Sequence, residues 1–153
     1  MRKCLFLVTT ICLLVVASYA QPVLSEGASI AGIEHNAQMC DIDMPGQGGA
    51  AWFDYNNDGW YDLYLTGGCT RDALFRNDGG SFTNITFDAG FGVLYNVETN
   101  GVTTGDFNRD GFSDVLVTTQ KTSPNYLFLN NGDETFQQMQ WAGDSDTANS
   151  FSA

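Results

Sequence analysis

Two stretches of this chain carry oxygen-bearing side chains at a spacing suited to a hard cation. The first is Asp54-Tyr55-Asn56-Asn57-Asp58-Gly59-Trp60-Tyr61-Asp62. The second is Asp106-Phe107-Asn108-Arg109-Asp110-Gly111-Phe112-Ser113-Asp114. Asp or Asn fills loop positions 1, 3, 5 and 9 of both, and a glycine follows position 5. In such a loop alternate side chains turn inward, and the glycine permits the sharp turn. Ca2+ takes six to eight oxygens at about 2.3–2.6 Å. Asp54, Asn56, Asp58 and Asp62, the carbonyl of Trp60, and a water or second carboxylate oxygen would supply them. The second set is Asp106, Asn108, Asp110 and Asp114 with the carbonyl of Phe112. Mg2+ suits the loops less well, because it retains its waters and takes fewer protein ligands. An Asn-Asp-Gly run is also ordinary hairpin-turn chemistry. Two loops with the same four positions filled favour the cation over the plain turn.

The elements that would position these loops are strands. An EF-hand would need a bidentate Glu at position 12, and helices on both sides. Position 12 is Leu65 in the first loop and Val117 in the second. Ala51-Trp52-Phe53 precedes the first loop and Leu63-Tyr64-Leu65-Thr66 follows it. Val115-Leu116-Val117-Thr118-Thr119 follows the second. These short β-branched and aromatic runs predict a calcium loop joining two β-strands. Two more strands follow each loop. Asp72–Arg76 and Phe82–Thr86 flank the turn Asn77-Asp78-Gly79-Gly80, and Asn125–Leu129 and the strand at Phe136 flank Asn130-Asn131-Gly132.

The chain therefore repeats. Asp54 to Asp106 is 52 residues and Gly79 to Gly132 is 53. Four short strands in a period near 50 point to the blades of a β-propeller. The expected fold is all-β, with about two four-stranded blades and partial strands at both ends. Repeat one spans about residues 48–91 and repeat two about 100–143, with the start of a third at about 149–153. Ala142-Gly143 matches Ala89-Gly90, and Ala31-Gly32 resembles the end of a preceding blade. A closed propeller has typically about four to eight blades. The sequence thus reads as a fragment whose remaining blades lie elsewhere, or as a short protein that closes its ring by self-association.

Residues 1–20 read as a secretory signal peptide. Met1-Arg2-Lys3 is basic, Leu5–Ala17 is apolar, and Ser18-Tyr19-Ala20 offers a cleavage site after Ala20. The apolar run is 13 residues, shorter than the roughly 18–20 of a membrane span, and no membrane span is expected. The expected location is secreted or extracellular, or periplasmic or otherwise exported in a bacterium. Beyond the signal only Arg71, Arg76, Arg109 and Lys121 are basic, against all 18 acidic residues, a formal charge of −14. That balance argues against nucleic acid and anionic membranes as partners. Cys4 and Cys12 fall in the signal, leaving Cys40 and Cys69. In an oxidising compartment they form a disulfide closing roughly 30 residues, worth about 3–4 kcal/mol on the chain-entropy model; two buried free thiols are the alternative. Asn84-Ile85-Thr86 is an N-glycosylation sequon, relevant in a eukaryotic source.

The segments Gly49–Asp54 through Leu65, Leu74–Gly79 and Phe82–Ile85, with their second copies, resemble the FG-GAP/VCBS repeats of integrin α-type propellers. Within that group the chain is most similar to secreted proteins of the ASPIC/UnbV and cartilage-acidic-protein type. The resemblance covers residues 28–153. It implies Ca2+ at Asp54, Asn56, Asp58, Trp60 and Asp62, and at Asp106, Asn108, Asp110, Phe112 and Asp114. Asn56 and Asn108 stand where Asp is frequent, which lowers the ligand charge and the expected affinity. The C-terminal domain of full-length relatives has no counterpart in this sequence.

Three function classes can be weighed. A structural or extracellular protein-interaction role, with Ca2+ stabilising the blade loops, accounts for most of the chain. A lectin-like propeller, or a non-catalytic module of a polysaccharide-active enzyme, would use Trp52, Trp60, Trp141 and the tyrosines as stacking surfaces. Catalysis has little to work with, since His35 is the only histidine and no nucleophile or phosphate-binding motif accompanies it. No catalytic residue is assigned.

Overall fold

A computed structural model describes residues 27–37, 48–119 and 123–139. The proposed signal, Cys40, Trp141 and the expected third repeat at 149–153 lie outside them. Among the described residues, eight strands form two four-stranded antiparallel sheets. The first sheet comprises β1 (Ala50–Phe53), β2 (Asp62–Leu65), β3 (Ala73–Asn77) and β4 (Phe82–Asn84). The second comprises β5 (Thr99–Gly105), β6 (Asp114–Thr119), β7 (Tyr126–Asn130) and β8 (Phe136–Met139). Each sheet is a simple meander in chain order. The fold is all-β, and the two sheets have the form of two propeller blades.

Strand alternation decides which residues meet between the sheets. In β6, Val115 and Val117 point to one face and are fully buried, while Leu116 points to the other and is half-buried. Tyr64 and Leu74 are opposite one another in register on β2 and β3, and both are fully buried. They join Val115, Val117, Phe128 and Phe136 in one core between the sheets. Burying each such side chain contributes about 1.5–3 kcal/mol.

The linker supplies the centre of that core. After β4 the chain makes a turn and a short 3-10 helix, Phe91–Leu94. Phe91 lies 5.1 Å from the Tyr64 ring, 4.5 Å from Phe128 and 5.0 Å from Phe136, centroid to centroid. Gly90 makes this approach possible. It has φ +99°, and a Cβ there would fall 2.7 Å from the Phe136 carbonyl oxygen. No side chain fits that position without moving backbone.

Candidate metal centre

The two acidic loops join β1 to β2 and β5 to β6, and their hydrogen bonds match one for one. Asp54 Oδ1 accepts from Asp58 N at 3.1 Å and Asp54 Oδ2 from Gly59 N at 2.9 Å. Asp106 Oδ1 accepts from Asp110 N at 3.0 Å and Asp106 Oδ2 from Gly111 N at 2.9 Å. Asn56 Oδ1 and Asn108 Oδ1 also accept from the position-5 N–H, at 3.2 and 3.0 Å. Asp58 Oδ1 accepts from Trp60 N at 2.8 Å, and Asp110 Oδ1 from Phe112 N at 2.9 Å. The backbone turns at position 4, where Asn57 has φ +58° and Arg109 +66°, and at Gly59 and Gly111. Asparagine tolerates that left-handed conformation; arginine is a less usual choice.

Position 9 behaves differently from the rest. Asp62 and Asp114 are fully buried at the start of β2 and β6. Asp62 Oδ2 accepts from Tyr55 N at 3.0 Å and Oδ1 from Asn77 N at 2.8 Å. Asp114 Oδ2 accepts from Phe107 N at 2.8 Å and Oδ1 from Asn130 N at 2.9 Å. Each carboxylate therefore ties its loop to the end of the neighbouring hairpin. Burial raises the Asp62 carboxyl above its ordinary range, against the lowering effect of the Asn77 and Tyr55 N–H groups; the charges of Asp58 and Asp54 raise it further. This framework role is invisible in the motif itself, because the partners Asn77 and Asn130 are 15 and 16 residues away in the chain.

The donor set fits a hard cation in kind. It is all oxygen, and it combines three carboxylates with a carboxamide and a carbonyl in each loop. A carboxylate oxygen holding one N–H keeps a second lone pair for a metal. Convergence is incomplete. Among the described residues no three His, Cys, Asp or Glu side chains gather closely enough to hold a metal ion. Positions 3 and 7 contribute a carboxamide and a carbonyl instead, and Asn56 Nδ2 and Asn108 Nδ2 donate to Asp58 and Asp110 at 2.9 and 2.8 Å. Backbone N–H groups, rather than mutual contact of the acids, hold the loop carboxylates in place.

A second feature lies away from the loops. A cavity of about 350 Å³ is lined in part by Glu34, His35, Arg71, Asp72 and Asn84. Its buried carboxylate, Asp72, is fully engaged. It accepts from Gly67 N at 2.8 Å, from the Tyr64 hydroxyl at 2.8 Å and from the Thr99 hydroxyl at 2.6 Å. His35 Nε2 is 3.1 Å from the Thr66 carbonyl oxygen. Arg71 lies over the Tyr95 ring and hydrogen-bonds its hydroxyl. Asp72 thus stitches the two sheets together through Thr99. The sequon residue Asn84 is exposed at the end of β4, and its Oδ1 accepts from Thr86 Oγ1 at 2.7 Å.

The resemblance to FG-GAP repeats is borne out by comparison with known families. The FG-GAP-like repeat family matches residues 54–117 and again 106–153. The chain belongs to the FG-GAP-like repeat family. The two overlapping matches each begin on position 1 of an acidic loop, Asp54 and Asp106. No curated protein matches the chain. No helix among the described residues is long and apolar enough to cross a membrane.

Proposed function

We propose that this FG-GAP-like repeat protein is an exported, calcium-dependent interaction module in which two structural Ca2+ sites brace the β1–β2 and β5–β6 loops. The matched hydrogen-bond pattern of the two loops carries the reading. Six of the 18 acidic residues lie in these nine-residue loops, and such packing is repulsive without a counter-charge. In each loop the position-9 aspartate and its two N–H donors bind the metal end to the sheet, so ion binding would stiffen the hairpin ends as a unit. The role is non-catalytic, since the only buried carboxylate of the Asp72 cavity is consumed by structure.

Several finer features go with this reading. Export follows from the signal-like residues 1–20. On this reading Cys40 and Cys69, the two cysteines outside the signal-like segment, would form a disulfide in an oxidising compartment. Kinship with the ASPIC/UnbV and cartilage-acidic-protein type rests on the segments quoted above, and the chain would then be part of a larger propeller. The partner is an extracellular protein. A glycan is the second reading, favoured by exposed Trp60 and Tyr61 side by side at the rim of the first loop.

Terbium luminescence tests the sites. Tb3+ replaces Ca2+ at oxygen sites and is sensitised by a nearby indole, which Trp60 supplies to the first loop. Emission should appear on adding Tb3+, be displaced by Ca2+, and be lost in Asp58→Ala but kept in Asp110→Ala. Emission indifferent to Asp58→Ala would overturn the assignment.

A further inference from the structure

Arg71 is an exposed cation that the acids around it leave unpaired. Among the described residues Arg76 forms ion pairs, with Asp78 and Glu134 at 3.0 and 3.4 Å, whereas no carboxylate lies within ion-pair distance of Arg71. Arg71 is nevertheless held in place. Its guanidinium carbon lies 4.4 Å from the centroid of the Tyr95 ring and 5.9 Å from that of Phe87. Its Nη2 donates to the Tyr95 hydroxyl at 2.9 Å. Two rings and one hydrogen bond thus fix a long side chain, so less rotamer freedom remains to be lost when it binds something. The N–H groups on Nε and Nη1 remain for another acceptor.

The cavity that Arg71 lines, about 350 Å³, is near the lower end of the about 300–1,000 Å³ of small-molecule sites. Its walls offer hydrogen-bond donors and acceptors together. Asn84 Oδ1 accepts from Thr86 N at 3.1 Å and from Thr86 Oγ1 at 2.7 Å, so Nδ2 presents its two N–H groups on the other side of the amide. His35 Nε2 lies 3.1 Å from the Thr66 carbonyl oxygen, which places the proton on Nε2 and makes Nδ1 an acceptor in the neutral ring. Glu34 is exposed and adds a carboxylate, and Phe87, 60% exposed, adds an apolar ring face. The Asp72 oxygens are already taken by Gly67, Tyr64 and Thr99. The repeat does not require this set of residues. Leu74 and Leu127 hold the same place in the strand registers, as do Phe82 and Phe136. Counted from them, Pro124 stands at the place of Arg71 and Gln138 at that of Asn84. The second sheet is built the same way without the arginine and the asparagine, so the fold does not account for them.

We propose that this cavity binds a carboxylated sugar, a pyranose ring that carries one carboxylate among its hydroxyls. Arg71 takes the carboxylate through Nε and Nη1, the bidentate match of a guanidinium to that group. Asn84 Nδ2 donates to a sugar oxygen, Glu34 and His35 Nδ1 accept from hydroxyls, and Phe87 packs on the C–H face of the ring. This ligand class uses every group that the walls present. A neutral sugar would leave Arg71 without a partner. An inorganic anion or an acidic peptide side chain would bring negative charge towards Glu34 with no hydroxyl to bond it. Beyond residues 1–20 the chain carries a formal charge of −14, which disfavours a densely charged polymer. The ligand that fits is therefore a single acidic unit within an otherwise neutral glycan. No residue of the two metal loops lines the cavity, and neither does Trp60, so the site goes beyond the protein-partner reading and does not rest on it.

Titrations followed by saturation-transfer NMR test this on the full chain, made in a host without N-glycosylation so that Asn84 is bare. The probes are the methyl glycosides of glucuronic, galacturonic and N-acetylneuraminic acid, with those of glucose and galactose as neutral controls. At least one acid should bind, about tenfold or more tightly than the neutral glycosides, and which one binds separates a uronic acid from a sialic acid. Arg71→Gln should weaken that binding about tenfold or more, and Arg71→Lys should restore only part of it, because the ammonium lacks the planar fork. Phe87→Ala should weaken it independently. Arg71 and Phe87 are both exposed, and far-UV circular dichroism checks that each variant keeps its strands. No acid bound at millimolar concentration overturns the proposal. So do neutral glycosides that bind as tightly as the acids, or an Arg71→Gln variant that binds as wild type does. Repeating the titration in chelator separates this site from the calcium reading. Binding should persist there, and its loss from a chain that keeps its strands would assign the sugar to the loop ions and overturn the proposal.

Discussion

Asp58 and Asp62 occupy one loop, yet truncating each to alanine should fail in different ways. Asp58 is exposed and accepts from Trp60 N and Asn56 Nδ2, groups that water reaches when the side chain is removed. In chelator Asp58→Ala should therefore cost at most about 1 kcal/mol. In calcium the variant also forfeits the ion's contribution, RT ln(1 + [Ca]/Kd), about 2.7 kcal/mol at a hundredfold excess over Kd. Asp62 is fully buried, and its loss strands the N–H groups of Tyr55 and Asn77. An unsatisfied buried donor costs about 1–3 kcal/mol, so Asp62→Ala should be the worse variant even in chelator. Urea unfolding, in millimolar calcium and in chelator, reads both differences from the midpoint at constant m. If Asp58→Ala lost the same stability in both conditions, the ion would not be bound through Asp58. If Asp62→Ala were the milder of the two in chelator, the framework role of position 9 would be wrong.

Other outcomes follow from the same geometry. Burial raises the Asp72 carboxyl above its ordinary value despite the hydrogen bonds from Thr99, Gly67 and Tyr64. The folded state then binds that proton more tightly than the unfolded state, so this group's contribution to stability falls as pH rises from its unfolded to its folded pKa, and is flat above. The stability difference between wild type and Asp72→Asn should change sharply across the acid range and level off towards neutrality; a difference constant with pH would contradict it. Tyr55→Ala should cost about 3–5 kcal/mol from lost packing in the core, whereas Phe107→Ala in the isolated chain should cost under about 1 kcal/mol. Gly90→Ala should destabilise by about 1–3 kcal/mol, because its φ and the Phe136 carbonyl both exclude a side chain; a neutral result in thermal melts would place the linker differently.

Much of this architecture is written in local signals. The loops are legible because position, residue type and glycine are all short-range, and the strands because Val115-Leu116-Val117 and Leu63-Tyr64-Leu65 are too short and too branched for helices. Their observed bounds differ from the expected ones by a residue or two, as at β2, which ends at Leu65, and β3, which begins at Ala73. The match of Ala31-Gly32 to Ala89-Gly90 is visible in the sequence, and the structure supplies its reason, since Gly32 crosses the Phe82 carbonyl as Gly90 crosses that of Phe136. What the sequence withholds is tertiary. The 3-10 helix Phe91–Leu94 has no periodicity to betray it, and its aromatic plug shows only once both sheets exist. Asp62 looks like one more ligand until Tyr55 and Asn77 close on it. Nothing local tells that Thr99 and Tyr64 will enclose Asp72. Tyr55 and Phe107 look interchangeable, and only the neighbouring sheet distinguishes them.

Equilibrium dialysis with radioactive calcium, on the full chain after chelator stripping, addresses the central claim most directly. Two paired loops predict two ions bound per chain, falling to one in Asp58→Ala, one in Asp110→Ala and none in the double variant. Saturation at zero ions, or a stoichiometry of two that survives both substitutions, would contradict the account.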